Sequence, residues 1–155
     1  MNKVLILYAS STGNTEMIAD TMVSYLESHR YDLVTKSFEF DTIDVEELLD
    51  FNLVLIGTHS ADDGQIPFEA EHFYDELDNI DLKDRLIGVF GSGESFYDVF
   101  CESIEIMGDR LVHLGAKVVP TRLKVELEPD KKDKLRCEAF VKEACAMIGE
   151  TVKPY

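Results

Sequence analysis

The stretch KVLILYASSTGNT, residues 3–15, decides the architecture. Lys3–Ala9 is an almost continuous apolar run, the pattern of a strand buried on both faces of a parallel sheet. The polar hexad Ser10-Ser11-Thr12-Gly13-Asn14-Thr15 follows and opens onto a helical repeat, with Ile18, Met22, Tyr25 and Leu26 at i, i+4, i+7 and i+8. A buried strand, a short polar turn and an amphipathic helix make up the first half of a βαβ unit.

The alternation continues along the chain. Leu33–Phe38, Leu53–Thr58, Leu86–Phe90 and Lys117–Val119 are further Val-, Ile- and Leu-rich strand candidates. Between them a short helix is expected near Val45–Leu49 and another from Phe68 to Leu77, after Pro67. Phe100, Ile104, Met107, Leu111 and Leu114 repeat at helical period and end at Gly115, which suits a C-cap. Phe140, Ala144, Met147 and Ile148 do the same before Gly149. This order predicts a doubly wound α/β domain with a five-stranded parallel sheet and helices on both faces. At 155 residues without repeats or linkers, a single domain over 1–155 is expected.

Composition excludes several functions. The net charge is −16, whereas a nucleic-acid binder needs a basic footprint, and an anionic membrane surface would repel such a chain. No apolar run approaches the ~18 residues of a membrane span, and no secretory leader is evident. Cys101, Cys137 and Cys145 are odd in number and lack metal spacing, so a reducing cytoplasm is the expected compartment. The charge is uneven: residues 41–84 carry 14 acids and 1 base, a local −13. Such a stretch keeps copies apart, predicting a monomer, and can steer basic partners; Asp75, Glu76 and Asp78 are its candidate docking acids.

In an open parallel sheet ligands bind beyond the carboxyl ends of the strands. Three segments there are dense in Gly, hydroxyl and amide groups: Ser10–Thr15, Thr58-His59-Ser60-Ala61-Asp62-Asp63-Gly64-Gln65, and Gly91-Ser92-Gly93-Glu94-Ser95-Phe96-Tyr97-Asp98. The first sits at a helix N-terminus, where exposed N–H groups and the dipole favour an anion. It carries no Lys or Arg and no GK[ST], which disfavours triphosphate hydrolysis and suits a terminal monophosphate; the plainer reading is a polar turn capping a helix. Gly91-Ser92-Gly93 begins a GxGxxG, but Phe96 holds the sixth position, against a dinucleotide site. Tyr97, among glycines, offers a flat ring for stacking. Nothing supports hydrolytic or group-transfer catalysis, and there is no G-x-S-x-G elbow.

These residues resemble a known family. Ser10–Thr15 is similar to the [ST]-x-T-G-x-T phosphate loop of flavodoxins, and GSGESFYDVFC at 91–101 resembles their isoalloxazine loop. PFEAEHFYDEL at 67–77 and LKVELEP at 123–129 extend the likeness over nearly the whole chain, and the length resembles the short-chain branch. The resemblance implies strand order 2-1-3-4-5, a non-covalently bound FMN, and an electron carrier between redox enzymes rather than an enzyme with its own substrate. It places the phosphate on Ser10, Ser11, Thr12, Gly13, Asn14 and Thr15, and Tyr97 on one flavin face. The backbone from Ser92 and Gly93 to Phe100 and Cys101 would edge the pyrimidine end, with Cys101 a small packed thiol. Ser60, Ala61, Asp62, Asp63 and Gly64 would cover the other face and approach N5. Negative groups near the flavin would disfavour its anionic fully reduced form and lower the potential. Basic-surfaced reductases and acceptor oxidoreductases are the implied partners.

Two departures stand out. Flavodoxins commonly carry an aromatic followed by Gly-Asp or Gly-Asn, where this chain has Ala61 and Asp62-Asp63, and it has no tryptophan. His59 stands where relatives often have Tyr or Ser, and is expected as a partly exposed loop residue. The alternative within this fold is an NAD(P)H-dependent quinone or FMN reductase, against which stand the acidic surface and the lack of an added nicotinamide segment. A phospho-acceptor signalling domain would need acids after the first strand, where Ser10-Ser11-Thr12 stands instead.

Overall fold

The computed structural model describes residues 2–10, 13–59, 66–93 and 102–151. In chain order these form β1 (Lys3–Tyr8), α1 (Asn14–Ser28), β2 (Asp32–Ser37), a 3₁₀ turn over Val45–Asp50, β3 (Leu53–His59) and α2 (Phe68–Glu76), which tightens into a 3₁₀ turn over Leu77–Asn79. Then come β4 (Leu86–Gly93), α3 (Glu102–His113), β5 (Lys117–Val118), β6 (Leu123–Glu126) and α4 (Lys131–Thr151). The sheet is ordered β2-β1-β3-β4-β5 with β6 also paired to β4, and every ladder is parallel. The doubly wound architecture and strand order expected from the sequence are thus borne out.

Side chains alternate across the central strands, and both faces are apolar. Val4 and Ile6 of β1, with Leu53 and Leu55 of β3, pack under Ile18, Ala19, Met22 and Leu26 of α1 and Phe140, Val141, Ala144 and Ile148 of α4. Leu5, Leu7, Val54 and Ile56 point the other way, against Val45 and Leu48 of the 3₁₀ turn, Ala70 and Phe73 of α2, and Ile104, Met107 and Leu111 of α3. The helical residues named from periodicity are therefore those that face the sheet, Phe100 lying outside the described residues. The 3₁₀ turn begins with a capping box: Asp44 accepts from the Glu46 N–H, and Glu47 returns a carboxylate to the Asp44 N–H. At the end of α3 the Ala116 N–H reaches the Leu111 carbonyl and the Gly115 N–H reaches Val112, a Schellman stop around Gly115.

Two boundaries differ from the sequence reading. The fifth strand comes in two pieces: β5 pairs with Leu86 and Ile87, and β6 with Phe90–Gly93. Pro120, between them, has no N–H to give the ladder. And β4 runs on through Gly91-Ser92-Gly93, which composition had placed in a loop. Thr58 pairs with Gly91 and His59 with Ser92, an approach so close that a Cβ on Gly91 would lie 1.8 Å from the Thr58 carbonyl oxygen. Only glycine lets the strand continue there. Among the described residues no helix is long and apolar enough to cross a membrane.

Cys137 is fully buried under the sheet and Cys145 partly so, and neither is in a disulfide. Burial pushes the Cys137 thiol up to about 11 from an ordinary 9.0. A hydrogen bond with Cys145, with burial second, pushes the Tyr31 phenol up to about 12. Both shifts favour the neutral form in the folded state. The stability they represent is whole below the unfolded-state values and is lost as pH rises through the folded ones. Between pH 9 and 11, urea unfolding should show wild type losing up to about 2–3 kcal/mol more stability than Cys137→Ala. Equal pH slopes would show that Cys137 does not carry the effect.

Candidate functional site

The parallel registers bring the carboxyl ends of β1, β3 and β4 to one edge. Tyr8 is opposite Gly57, the Ala9 N–H donates to the Gly57 carbonyl at 3.0 Å, and His59 is opposite Ser92. The segments that leave this edge start side by side because β1 connects to β2 on one side and lies against β3 on the other, which opens a crevice at the switch.

The first segment turns at Gly13, whose φ of 90° lies in the left-handed region. Gly13 has no side chain to cap α1, and Ser10 does this from outside the helix. Its Oγ accepts from the Gly13 N–H at 3.1 Å and from the Glu16 N–H at 3.3 Å. A serine hydroxyl has two acceptor positions and one proton, so what Ser10 offers beyond the cap is a donor. The N–H groups of Asn14 and Thr15 open the helix and have no intrahelical acceptor. The polar-turn reading is borne out by the Ser10 cap, and the Asn14 and Thr15 N–H groups stand at the positive end of a 15-residue helix.

Thr15 and Ser92 are brought together across 77 residues. Their hydroxyl oxygens are 2.7 Å apart, Thr15 fully buried and Ser92 nearly so. The pair has two protons and uses one in its mutual bond, leaving one to donate. This bond fastens the first turn of α1 to the end of β4, the point from which the Gly93 backbone leaves toward residue 94. Beside it the Thr58 hydroxyl lies 3.1 Å from that of Ser103 on α3, which also donates to the His59 carbonyl at 3.1 Å.

His59 is the last residue of β3, not a loop residue, which corrects the sequence expectation. Its ring is largely buried, with Nε2 3.0 Å from Glu69 Oε1 in the first turn of α2. Glu69 and Ser103 were not singled out in the sequence. The only local sign was their place beside the PFEAEH and YDVFC motifs. No cluster of three or more His, Cys, Asp or Glu of metal-binding arrangement occurs among the described residues. Ser11, Thr12, Ser60, Ala61, Asp62, Asp63, Gly64, Tyr97, Phe100 and Cys101 lie outside the described residues, so of the expected set the structure places Ser10, Gly13, Asn14, Thr15, Ser92 and Gly93.

These features define a doubly wound domain whose carboxyl edge presents a helix N-terminus and donor hydroxyls, the makings of a phosphate-anchored cofactor site. The Flavodoxin family model matches residues 6–140. The chain is 37% identical to the probable flavodoxin 1 of Bacillus subtilis over 143 residues, covering 92% of this chain and 89% of that one. The crystal structure of oxidised flavodoxin 2 from Bacillus cereus superposes with a TM-score of 0.87 at 41% identity, covering 93% and 98% of the two chains. A short-chain flavodoxin associated with a bacterial microcompartment gives 0.89 at 26% identity, covering 96% and 99%. The chain belongs to the flavodoxin family, the electron-transfer flavoproteins that work with FMN and carry electrons to redox enzymes. The reductase alternative is not favoured by these relatives.

Because Thr15 and Ser92 satisfy each other in a buried place, removing one strands the other. Thr15→Val should cost about 1–3 kcal/mol of folding stability, and adding Ser92→Ala should return part of it. Urea denaturation of the two single variants and the double measures this. Strict additivity would show that the two hydroxyls are not coupled.

Proposed function

We propose that the chain is a single-domain, monomeric, cytoplasmic carrier that holds FMN at the carboxyl edge of β1, β3 and β4 and exchanges single electrons with basic-surfaced redox enzymes. The observation that supports the cofactor site most directly is the Thr15–Ser92 bond, which joins the proposed phosphate segment to the strand that leads into the proposed flavin segment. FMN, when bound, supplies one-electron chemistry at its ring. The protein's part is to bind and orient it. Ser10, Ser11, Thr12 and Thr15 offer hydroxyl donors, and Asn14 and Thr15 offer backbone N–H groups to the phosphate, with the α1 dipole adding to the attraction. Tyr97 would stack on one ring face, the backbone from Ser92 and Gly93 to Phe100 and Cys101 would border its polar edge, and Ser60–Gly64 would cover the other face. The absence of Lys and Arg from Ser10–Thr15 leaves the phosphate charge to be met by hydrogen bonds alone.

The test exploits riboflavin, which lacks the phosphate. Thr12→Val should weaken FMN by about 10- to 100-fold, since a hydrogen bond to a charged group is worth about 1.5–3 kcal/mol. Riboflavin affinity should change little. Fluorescence titration of the apoprotein with both flavins measures this, and equal losses would remove the phosphate from this loop.

The acidic stretch supports the partner reading, with one adjustment from the structure. Asp75 is exposed and Glu76 partly so, but Asp78 forms a 2.7 Å ion pair with Arg110, whose guanidinium also lies over the Tyr74 ring at 4.7 Å. Asp78 is therefore partly spent within the fold. Electron transfer with a basic reductase should slow as salt rises, as the screening length falls from ~10 Å at 0.1 M to ~3 Å at 1 M. Asp75→Asn with Glu71→Gln should lower the association rate at low salt more than Asp78→Asn does. Stopped-flow rates across a salt series check both, and a salt-independent rate at low ionic strength would leave the charge with a solubility role.

A further inference from the structure

Two phenylalanines are almost fully exposed: Phe40 at 86% and Phe68 at 85%, well above every other exposed large apolar side chain among the described residues. Both lie at the carboxyl edge of the sheet, Phe40 just beyond β2 and Phe68 at the first residue of α2. Phe38, two residues before Phe40, closes the carboxyl end of β2 and packs on Phe73 of α2, ring centroids 5.1 Å apart. Phe68 precedes Phe73 by five residues, toward the N-terminus of α2, which lies at the carboxyl edge because α2 runs back after β3. The Phe38–Phe73 contact packs the turn after β2 against α2, while Phe40 in that turn and Phe68 at the first residue of α2 each present a ring to water.

Acids flank both rings in sequence: exposed Glu39 and Asp41 beside Phe40, then Glu69 and exposed Glu71 just after Phe68. The negative potential is also felt at Tyr8 on the adjoining strand end. Its phenol is pushed up by burial first, and then by Glu16, Asp20, Asp41 and Glu39. An exposed aromatic costs solubility and stabilises nothing in the fold, whereas rigid aromatic rings within a charged rim are what binding hot spots are made of.

We propose that Phe40 and Phe68 are paired anchors of the docking face for redox partners, inserting into apolar pockets on a surface rimmed with Lys and Arg. The proposal rests on the carrier reading above and adds what grips the partner after charge has steered it. Charge complementarity selects this occupant. A second copy would bring Glu39, Asp41 and Glu71 against their own equivalents, and a lipid surface is itself anionic. The face adjoins the edge proposed for FMN, so a partner seated on it stands next to the flavin.

The experiment compares FMN-loaded wild type with Phe40→Ser/Phe68→Ser, using a purified basic NADPH-dependent flavoprotein reductase as probe. Both rings are exposed, so melting temperature and the visible flavin spectrum should match wild type. The dissociation constant should rise at least tenfold, chiefly through faster dissociation, and should do so even at ~0.3 M salt, where the Debye length is about 5–6 Å. Glu39→Gln/Glu71→Gln should instead slow association at low salt and lose its effect at ~0.3 M. Phe40→Leu/Phe68→Leu should recover part of the affinity. Wild-type affinity in the Ser double variant overturns the proposal. So does a wild-type dimer in sedimentation velocity that the Ser variant abolishes, or Phe-dependent pelleting with phosphatidylglycerol vesicles. Failure of wild type to bind FMN would instead bring down the carrier reading, and the docking role with it.

Discussion

The structure depends on the burial of β1, β3 and β4 on both faces. A strand apolar on both sides cannot stand at a surface, so each must be covered by helices, and parallel strands joined by covering helices must all run the same way. Every strand therefore delivers its carboxyl end to one edge. Leu5 and Leu7 face one helical layer while Val4 and Ile6 face the other, and the site exists because neither set can be turned to water. The functional segments need not be compact by themselves; they need only begin where the strands end.

What the sheet brings near, a few hydroxyl and carboxylate contacts fix. Thr15 to Ser92 ties α1 to β4, Thr58 to Ser103 ties β3 to α3, and His59 to Glu69 ties β3 to α2. Each joins a strand end to the N-terminal turn of a helix. The helix N-termini are thereby held at the carboxyl edge of the sheet, and the buried hydroxyls of Thr15, Ser92, Thr58 and Ser103 satisfy one another. Ser10 shows the same economy, its one oxygen capping α1 while its proton is left to donate.

The architecture was legible in the sequence because burial on both faces leaves a local trace: continuous apolar strands alternating with helical periodicity. Ser10–Thr15 could be proposed as a phosphate segment because its residues are contiguous. Other features were not, for a physical reason in each case. Gly91-Ser92-Gly93 has the composition of a turn, and its place in β4 depends on the Thr58 carbonyl of a neighbouring strand. Pro120 splits the last strand without ending the lane, because Leu123–Glu126 rejoins β4 beyond the break. The roles of Ser103 and Glu69 arise from pairings with no sequence periodicity, and His59 could be placed on the strand only once Ser92 was known to lie opposite.

The acidic stretch organises turns as well as carrying charge. Asp44 caps the Val45–Asp50 turn, Asp41 accepts the Ser37 N–H at 2.7 Å, and Asp81 accepts the Lys83 N–H at 3.0 Å. These residues organise turns by accepting backbone N–H hydrogen bonds, not by pairing with cations. Ion pairing is what subtracts from the field, and among the described residues of this stretch it involves Glu47 with Lys36 and Asp78 with Arg110, with Glu69 bonded to His59 and Glu76 4.0 Å from His72. Lys36 and Arg110 come from outside residues 41–84, whose single base is Lys83. Turn-capping therefore accounts for why several of these residues are Asp or Glu without diminishing the charge seen from solution. Asp41, Asp44 and Asp81 are held in place by the backbone groups they cap. Charges held in fixed positions keep the direction of their field, which the proposed steering of a basic partner would require.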